Sequence, residues 1–159
     1  MRIIVPLCTN LMERKLSKKI VMDDRFKDWE LPCLEEGKPN KYNWLVQNLA
    51  GFSLGYKTDI GAFTYINAKF KVVIEDFVQV GSHCSIYSIS TIDNKKGMVR
   101  LKKNCKIGSH SVLMPGVTIG ENSIVGAFSF VDKDIPNNVV AVGVPAKVMR
   151  EIKKAETLH

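Results

Sequence analysis

From Leu54 onward the chain divides into segments of six that each open on an aliphatic residue. The openings are Leu54, Ile60, Ile66, Ile74, Val80, Ile86, Leu101, Ile107, Leu113, Ile119, Val125 and Val131, and every one is Leu, Ile or Val. Ten of the twelve fifth positions are Ser, Thr, Val or Cys, with Phe70 and Ile135 the exceptions. Glycine holds the second position at 55, 61, 81, 108, 120 and 126. A period of six suits neither an amphipathic helix nor a simple alternating strand. It suits a short strand followed by a tight turn, with the aliphatic residue pointing inward and the small fifth residue filling the corner. Three such sides close a coil of about 18 residues, and coils stack at about 4.8 Å through parallel pairing. Each coil buries its interior only against its neighbours, and twelve hexads supply about four coils, enough for a continuous core.

The repeat breaks twice. Eight residues separate Ile66 from Ile74, and fifteen separate Ile86 from Leu101. The longer interval contains Asp93-Asn94-Lys95-Lys96-Gly97, a run of turn-forming residues. Residues 91–100 therefore read as a loop projecting from the prism. Residues 1–53 carry no repeat and read as a helical or irregular extension packed on the solenoid. Within it, Asn40 to Gly51 reads as a short helix, with Asn40 as N-cap, Trp44, Leu45 and Leu49 as its apolar stripe and Gly51 as its stop. Leu11 to Phe26 is a weaker helical candidate. Trp29 and Trp44 are expected to pack against the end of the solenoid, shielding strand edges. The solenoid spans 54–144. Pro145 suits a first helical turn, so 145–159 reads as a C-terminal helix.

Composition removes several function classes. Apolar residues make up 45% and charged residues 25%, an ordinary globular mixture. No run approaches the roughly 18 apolar residues of a membrane span, and the opening apolar stretch is too short for a secretion signal. A cytoplasmic protein without membrane partners is expected. The four cysteines form no CxxC pair, so neither a zinc nor a redox motif is indicated. The net charge of +7 is scattered and not interleaved with aromatics, which argues against nucleic acid and suits a phosphorylated small ligand.

The hexads, followed by Ile107-Gly-Ser-His-Ser-Val-Leu-Met-Pro-Gly-Val-Thr-Ile-Gly-Glu-Asn-Ser-Ile-Val-Gly-Ala, Asp134-Ile-Pro and Gly143-Val-Pro-Ala-Lys-Val148, resemble the hexapeptide-repeat acyltransferases over about 54–150. The tail resembles their sugar and xenobiotic acetyltransferase branch. That resemblance implies a left-handed parallel β-helix, a homotrimer, acetyl-coenzyme A as acyl donor, no metal, and a small sugar acceptor. It also implies that the loop near 91–100 reaches a neighbouring subunit's active site. By matching position, Ser109, Gly126 and Ala127 would meet the pantetheine arm, with Lys147 and Arg150 near the phosphates. The acceptor-side candidates are Tyr65, Asn67 and Tyr87.

Acetyl transfer needs a base, oxyanion donors and a thioester held close to the nucleophile. His83 and His110 each sit fourth in a hexad, within matched Gly-Ser-His triplets. If the register recovers at Leu101, the two stack one coil apart. His83 is the first candidate for the base because it precedes the loop, and His110 is the second. One departure from the maltose-type pattern stands out: Thr91 follows Ile86-Tyr-Ser-Ile-Ser, where that branch carries its histidine. The departure points away from plain maltose or galactoside acceptors. It leaves nucleotide-linked amino sugars of surface-polysaccharide, including lipopolysaccharide, biosynthesis as the expected class. Two other readings compete. A hydratase on the same scaffold would need three histidines around zinc, and only two are non-terminal. A non-catalytic scaffold remains the alternative to an enzyme.

Overall fold

The computed structural model describes residues 26–153, and all structural statements concern these. Fifteen short strands account for nearly all regular structure. The first coil comprises β1 (Leu45–Gln47), β2 (Phe52–Leu54) and β3 (Asp59–Ile60). The second comprises β4 (Tyr65–Asn67), β5 (Val72–Ile74) and β6 (Gln79–Val80). The third comprises β7 (Ser85–Tyr87), β8 (Val99–Leu101) and β9 (Lys106–Ile107). The fourth comprises β10 (Val112–Leu113), β11 (Thr118–Ile119) and β12 (Ile124–Val125). A last turn carries β13 (Phe130–Val131) and β14 (Val139–Gly143), and β15 (Ala146–Glu151) follows.

Strands of equal rank pair in parallel to give three faces, β1-β4-β7-β10-β13, β2-β5-β8-β11 and β3-β6-β9-β12-β14, and β15 adds antiparallel to the last. They are called here the first, second and third faces. The chain is thus a parallel β-solenoid, as the period of six predicts. Ile66, Ile74, Ile86, Leu101, Leu113, Ile119, Val125 and Val131 are all fully buried or nearly so, forming one column of aliphatic side chains. The fifth positions stack beside them. Thr64 Oγ1 donates to Gly81 O at 3.1 Å and accepts from Cys84 N–H at 3.3 Å. Ser111 Oγ donates to Gly126 O at 3.1 Å and accepts from Ser129 N–H at 3.3 Å. A small polar group at this corner therefore satisfies backbone groups that the turn leaves open.

Both irregular fifth positions have a structural cause. In the long interval after Ile66, Ala68 turns inward in place of Phe70, which is left 38% exposed. After Val131 the hexad is cut short. Ile135 takes the inward role on the second face, pairing with Ile119 at 4% exposure.

Three expectations are corrected. The stretch 40–51 is not a helix: it contains β1 and a single 3-10 turn at Leu49–Gly51. Trp44 and Val46 alternate inward as strand residues do, and pairing of β1 with β4 satisfies backbone groups that an isolated short helix would have left to water. The first coil consequently opens at Leu45, ahead of Leu54. The C-terminal helix is likewise absent: Ala146–Glu151 folds back antiparallel on β14 through a turn at Val144 and Pro145. The open edge of β14 offers a ladder of hydrogen bonds, which outweighs the weak helical preference of Ala146 to Lys154. Finally, the projecting loop is a small hairpin closed by an Ile89–Lys96 bridge, and residues 99 and 100 already belong to β8. The helical candidate at 11–26 lies outside the described residues except for Phe26.

Candidate active site

The register recovers after the hairpin. Val99 and Leu101 pair with Val72 and Ile74, and Ile107 pairs with Val80. The two Gly-Ser-His triplets therefore occupy the same corner, where the third face turns into the first. His83 and His110 stack with ring centres 4.7 Å apart and planes inclined by 13°. Phe63 continues the stack below His83 at 4.9 Å, and Phe128 continues it above His110 at 4.8 Å. All four residues are fourth in their hexads and all four have φ near +60°. That left-handed turn throws the side chain outward, and the coil spacing then fixes ring on ring. The stack is exposed, with Phe63 and Phe128 at 64% and 68%.

A groove of about 370 Å³ lies on the third face beside this corner. Ser109, Gly126 and Ala127, the three backbone candidates for the pantetheine arm, all line it, together with Gly81 and Gly108. Glycine is demanded here by contact: a Cβ on Gly108 would sit 2.3 Å from Ala127 N, and one on Gly81 would sit 2.5 Å from Ser109 N. The groove floor is thus backbone at close approach. Across it runs a cross-strand row of Asp59, Gln79, Lys106 and Ile124, which continues beyond the groove to Val140 and Arg150. Lys147 and Arg150 lie on β15, two strands beyond β12, or about 10 Å from it. They flank the groove without lining it. Lys106, in the middle of the groove, is absent from the residues that the sequence singled out. Its signal was available, because the sixth position of every third hexad faces this side.

The acceptor-side candidates gather on the first face. Tyr65 and Tyr87 rings are 5.7 Å apart. The Tyr65 hydroxyl donates to Gln47 Oε1, and Asn67 Nδ2 donates to the same oxygen at 3.4 Å. Asn67 Oδ1 accepts from Asn48 Nδ2 at 3.0 Å and from Lys69 N–H at 3.2 Å. The histidine edge thus separates a backbone-floored groove from a polar, aromatic face. Tyr87 leads directly into the hairpin, whose tip residue Ile92 is 98% exposed. Within the hairpin, hydrogen bonds from Ser90 and then Lys95 hold the Asp93 carboxyl down at about 2. Phe63 and Phe128 were missed by sequence reasoning, although they occupy the same hexad position as the histidines.

A stacked corner of hexads carrying paired imidazoles beside a backbone-lined groove defines the architecture: a parallel β-solenoid built of six-residue repeats. Residues 98–133 match the family model described as bacterial transferase hexapeptide (six repeats). The chain is similar to the galactoside O-acetyltransferase of Escherichia coli (strain K12), 40% identical over 116 residues that cover 64% of this chain and 57% of the relative. A solved galactoside acetyltransferase in complex with coenzyme A is 32% identical, with a TM-score of 0.64, covering 71% of this chain and 61% of that one. A mutant of AntD, an N-acyltransferase from Bacillus cereus, solved with dTDP-4-amino-4,6-dideoxyglucose and coenzyme A, is 25% identical. Its TM-score is 0.58, with 72% of this chain and 80% of that chain covered. The chain spans a little over half the length of the first curated relatives it matches.

Proposed function

We propose that this chain is an acetyltransferase that passes an acetyl group from acetyl-coenzyme A to a nucleotide-linked amino sugar, with His83 as general base. The observation that carries the reading is the imidazole pair on the rim of a groove floored by backbone, in a chain similar to acetyltransferases. The pantetheine arm lies along Ser109, Gly126 and Ala127, with its phosphates toward Lys147 and Arg150. Both cations suit phosphate, Lys147 as a point charge and Arg150 as a fork. The acceptor rests on the first face near Tyr65, Asn67 and Tyr87. His83 immediately precedes β7, the strand that carries Tyr87.

The His83 imidazole takes the proton from the acceptor's attacking amine or hydroxyl as the new bond to the thioester carbonyl forms. The tetrahedral oxyanion then collapses and the carbon–sulfur bond breaks. The coenzyme A thiolate leaves and receives the proton from the imidazolium. His110 and Phe63 on either side hold the ring in place. The exposed rings of Phe63 and Phe128, and Ile92 at the hairpin tip, support a homotrimer in which each hairpin covers the neighbour's histidine edge.

The test is release of free thiol from acetyl-coenzyme A against a panel of nucleotide amino sugars and free sugars. Acceptor-dependent release is expected, and His83→Ala should lower turnover by about 10²–10⁴-fold with the fold intact. Near-normal turnover in that variant removes His83 from the mechanism. Absence of acceptor-dependent release across the panel favours the scaffold reading.

A further inference from the structure

A second cavity, of about 240 Å³, lies at the N-terminal end of the solenoid, where residues 26–32 and 42–44 close over β3. Four aromatic rings line it: Phe26, Trp29, Tyr42 and Trp44. Phe26 and Trp44 are buried, while Tyr42 is 44% exposed at the mouth. The walls are held firmly. Trp29 Nε1–H donates to Thr58 O at 2.7 Å, and the Trp29 ring meets Tyr56 edge-on at 5.2 Å. Trp44 meets Phe52 in the same manner at 6.3 Å. Two carboxylates, Glu30 and Asp59, also line it.

Aromatic faces carry negative charge density and attract cations, and carboxylates at the same site add to that attraction. The rim already displays this chemistry within the chain. The Lys41 ammonium lies 2.9 Å from Glu30 Oε2 and 5.0 Å from the centre of the Tyr42 ring. The same lining repels phosphate. The volume falls below the roughly 300–1,000 Å³ of sites for drug-sized ligands, so the occupant is compact.

We infer that this cavity is a binding site for a small organic ammonium ion, held by its aromatic rings with Asp59 as counter-charge. Asp59 also lines the groove on the third face, so the site is read by direct ligand binding and not by acetyl transfer. A ligand carrying an alkylated ammonium would sit among the rings, with its uncharged end toward the mouth beside Tyr42.

The chain has two tryptophans, Trp29 and Trp44, and both line this cavity, so intrinsic fluorescence reports on it directly. The full chain is titrated with choline and, in parallel, with 3,3-dimethyl-1-butanol, its uncharged isostere, and with glucose. Choline should give a saturable change in emission, at an apparent affinity at least ten-fold tighter than the isostere or glucose. Asp59→Asn should weaken choline at least five-fold and leave the isostere unchanged. Tyr42→Ala should weaken choline comparably, with circular dichroism confirming the fold of each variant. A flat choline titration, an equal response to the uncharged compounds, or undiminished choline binding in folded Asp59→Asn overturns the inference.

Discussion

Two glycines on neighbouring turns separate steric from torsional strain in this solenoid. Gly120 sits at the corner between the second and third faces, and a Cβ there would lie 2.3 Å from Pro136 C and 2.4 Å from Asn137 N in the coil above. Ordinary carbon contacts are about 3.5–4.0 Å, so accepting Ala at 120 requires that coil to rise by more than about 1 Å. The hydrogen bonds nearest Gly120 that span the gap are Gly120 N–H to Ile135 O at 2.8 Å, Asn138 N–H to Glu121 O at 2.9 Å, and Glu121 N–H to Asn137 Oδ1 at 2.9 Å. Stretched by that amount, each passes out of hydrogen-bonding range. At about 0.5–1.5 kcal/mol per bond, Gly120→Ala should destabilise by about 2–4 kcal/mol. Gly116 is the control. Its φ is +90° and a Cβ there would meet nothing within 4 Å, so Gly116→Ala carries only the torsional penalty, about 1–2 kcal/mol. Urea unfolding followed by far-ultraviolet circular dichroism measures both, and unchanged m-values make the midpoints comparable. If Gly120→Ala unfolds within about 0.5 kcal/mol of the parent, or at a higher midpoint than Gly116→Ala, the reasoning from coil contact is wrong.

Three further outcomes are expected. Lys147→Ala should raise KM for acetyl-coenzyme A several-fold with little change in kcat, as steady-state kinetics would show, since a phosphate contact far from the thioester contributes equally to ground and transition states. The Asp93 carboxyl is held near 2 by Ser90 and Lys95. Its contribution to hairpin order is therefore fully present above the unfolded value of about 3.9 and fades as pH falls from there toward 2. Carboxyl-carbon NMR titration should locate the midpoint near 2, and a midpoint at about 3.5 or above contradicts the contact. Among the described cysteines, burial pushes the Cys105 thiol up to about 12 and raises that of Cys84, while Cys33 is exposed. A disulfide reagent at pH 8 should label Cys33 promptly and reach Cys84 and Cys105 only once urea opens the solenoid; peptide mapping by mass spectrometry distinguishes them.

The solenoid was legible because an inward position in a dry column tolerates only aliphatic residues, and the column recurs every six places. The same rule, applied to the letters alone, sets His83 and His110 one coil apart at one corner. The same fourth position also places Phe63 and Phe128 in that stack. Two segments were not legible because each satisfies two patterns. Trp44, Leu45 and Leu49 mimic a helical stripe, yet Trp44 and Val46 alternate as a strand, and only the unpaired edge of β4 decides between them. Ala146–Glu151 is rich in helix formers, and the edge of β14 decides there too. The aromatic cavity was illegible because it joins Trp29, Tyr42 and Asp59 through a fold-over that no periodicity announces.

The antiparallel return of β15 limits how this column could be lengthened. Val125 pairs with Ile107 eighteen positions earlier, so any added material must arrive as a whole revolution to keep Ile124 and Val125 beneath Val140 and Ala141. A third of a revolution would deliver β14 to the wrong side, with β15 left nothing to fold against. Growth by duplication is therefore open only below Val139; above it the chain has turned back on itself, and the stack has a terminus.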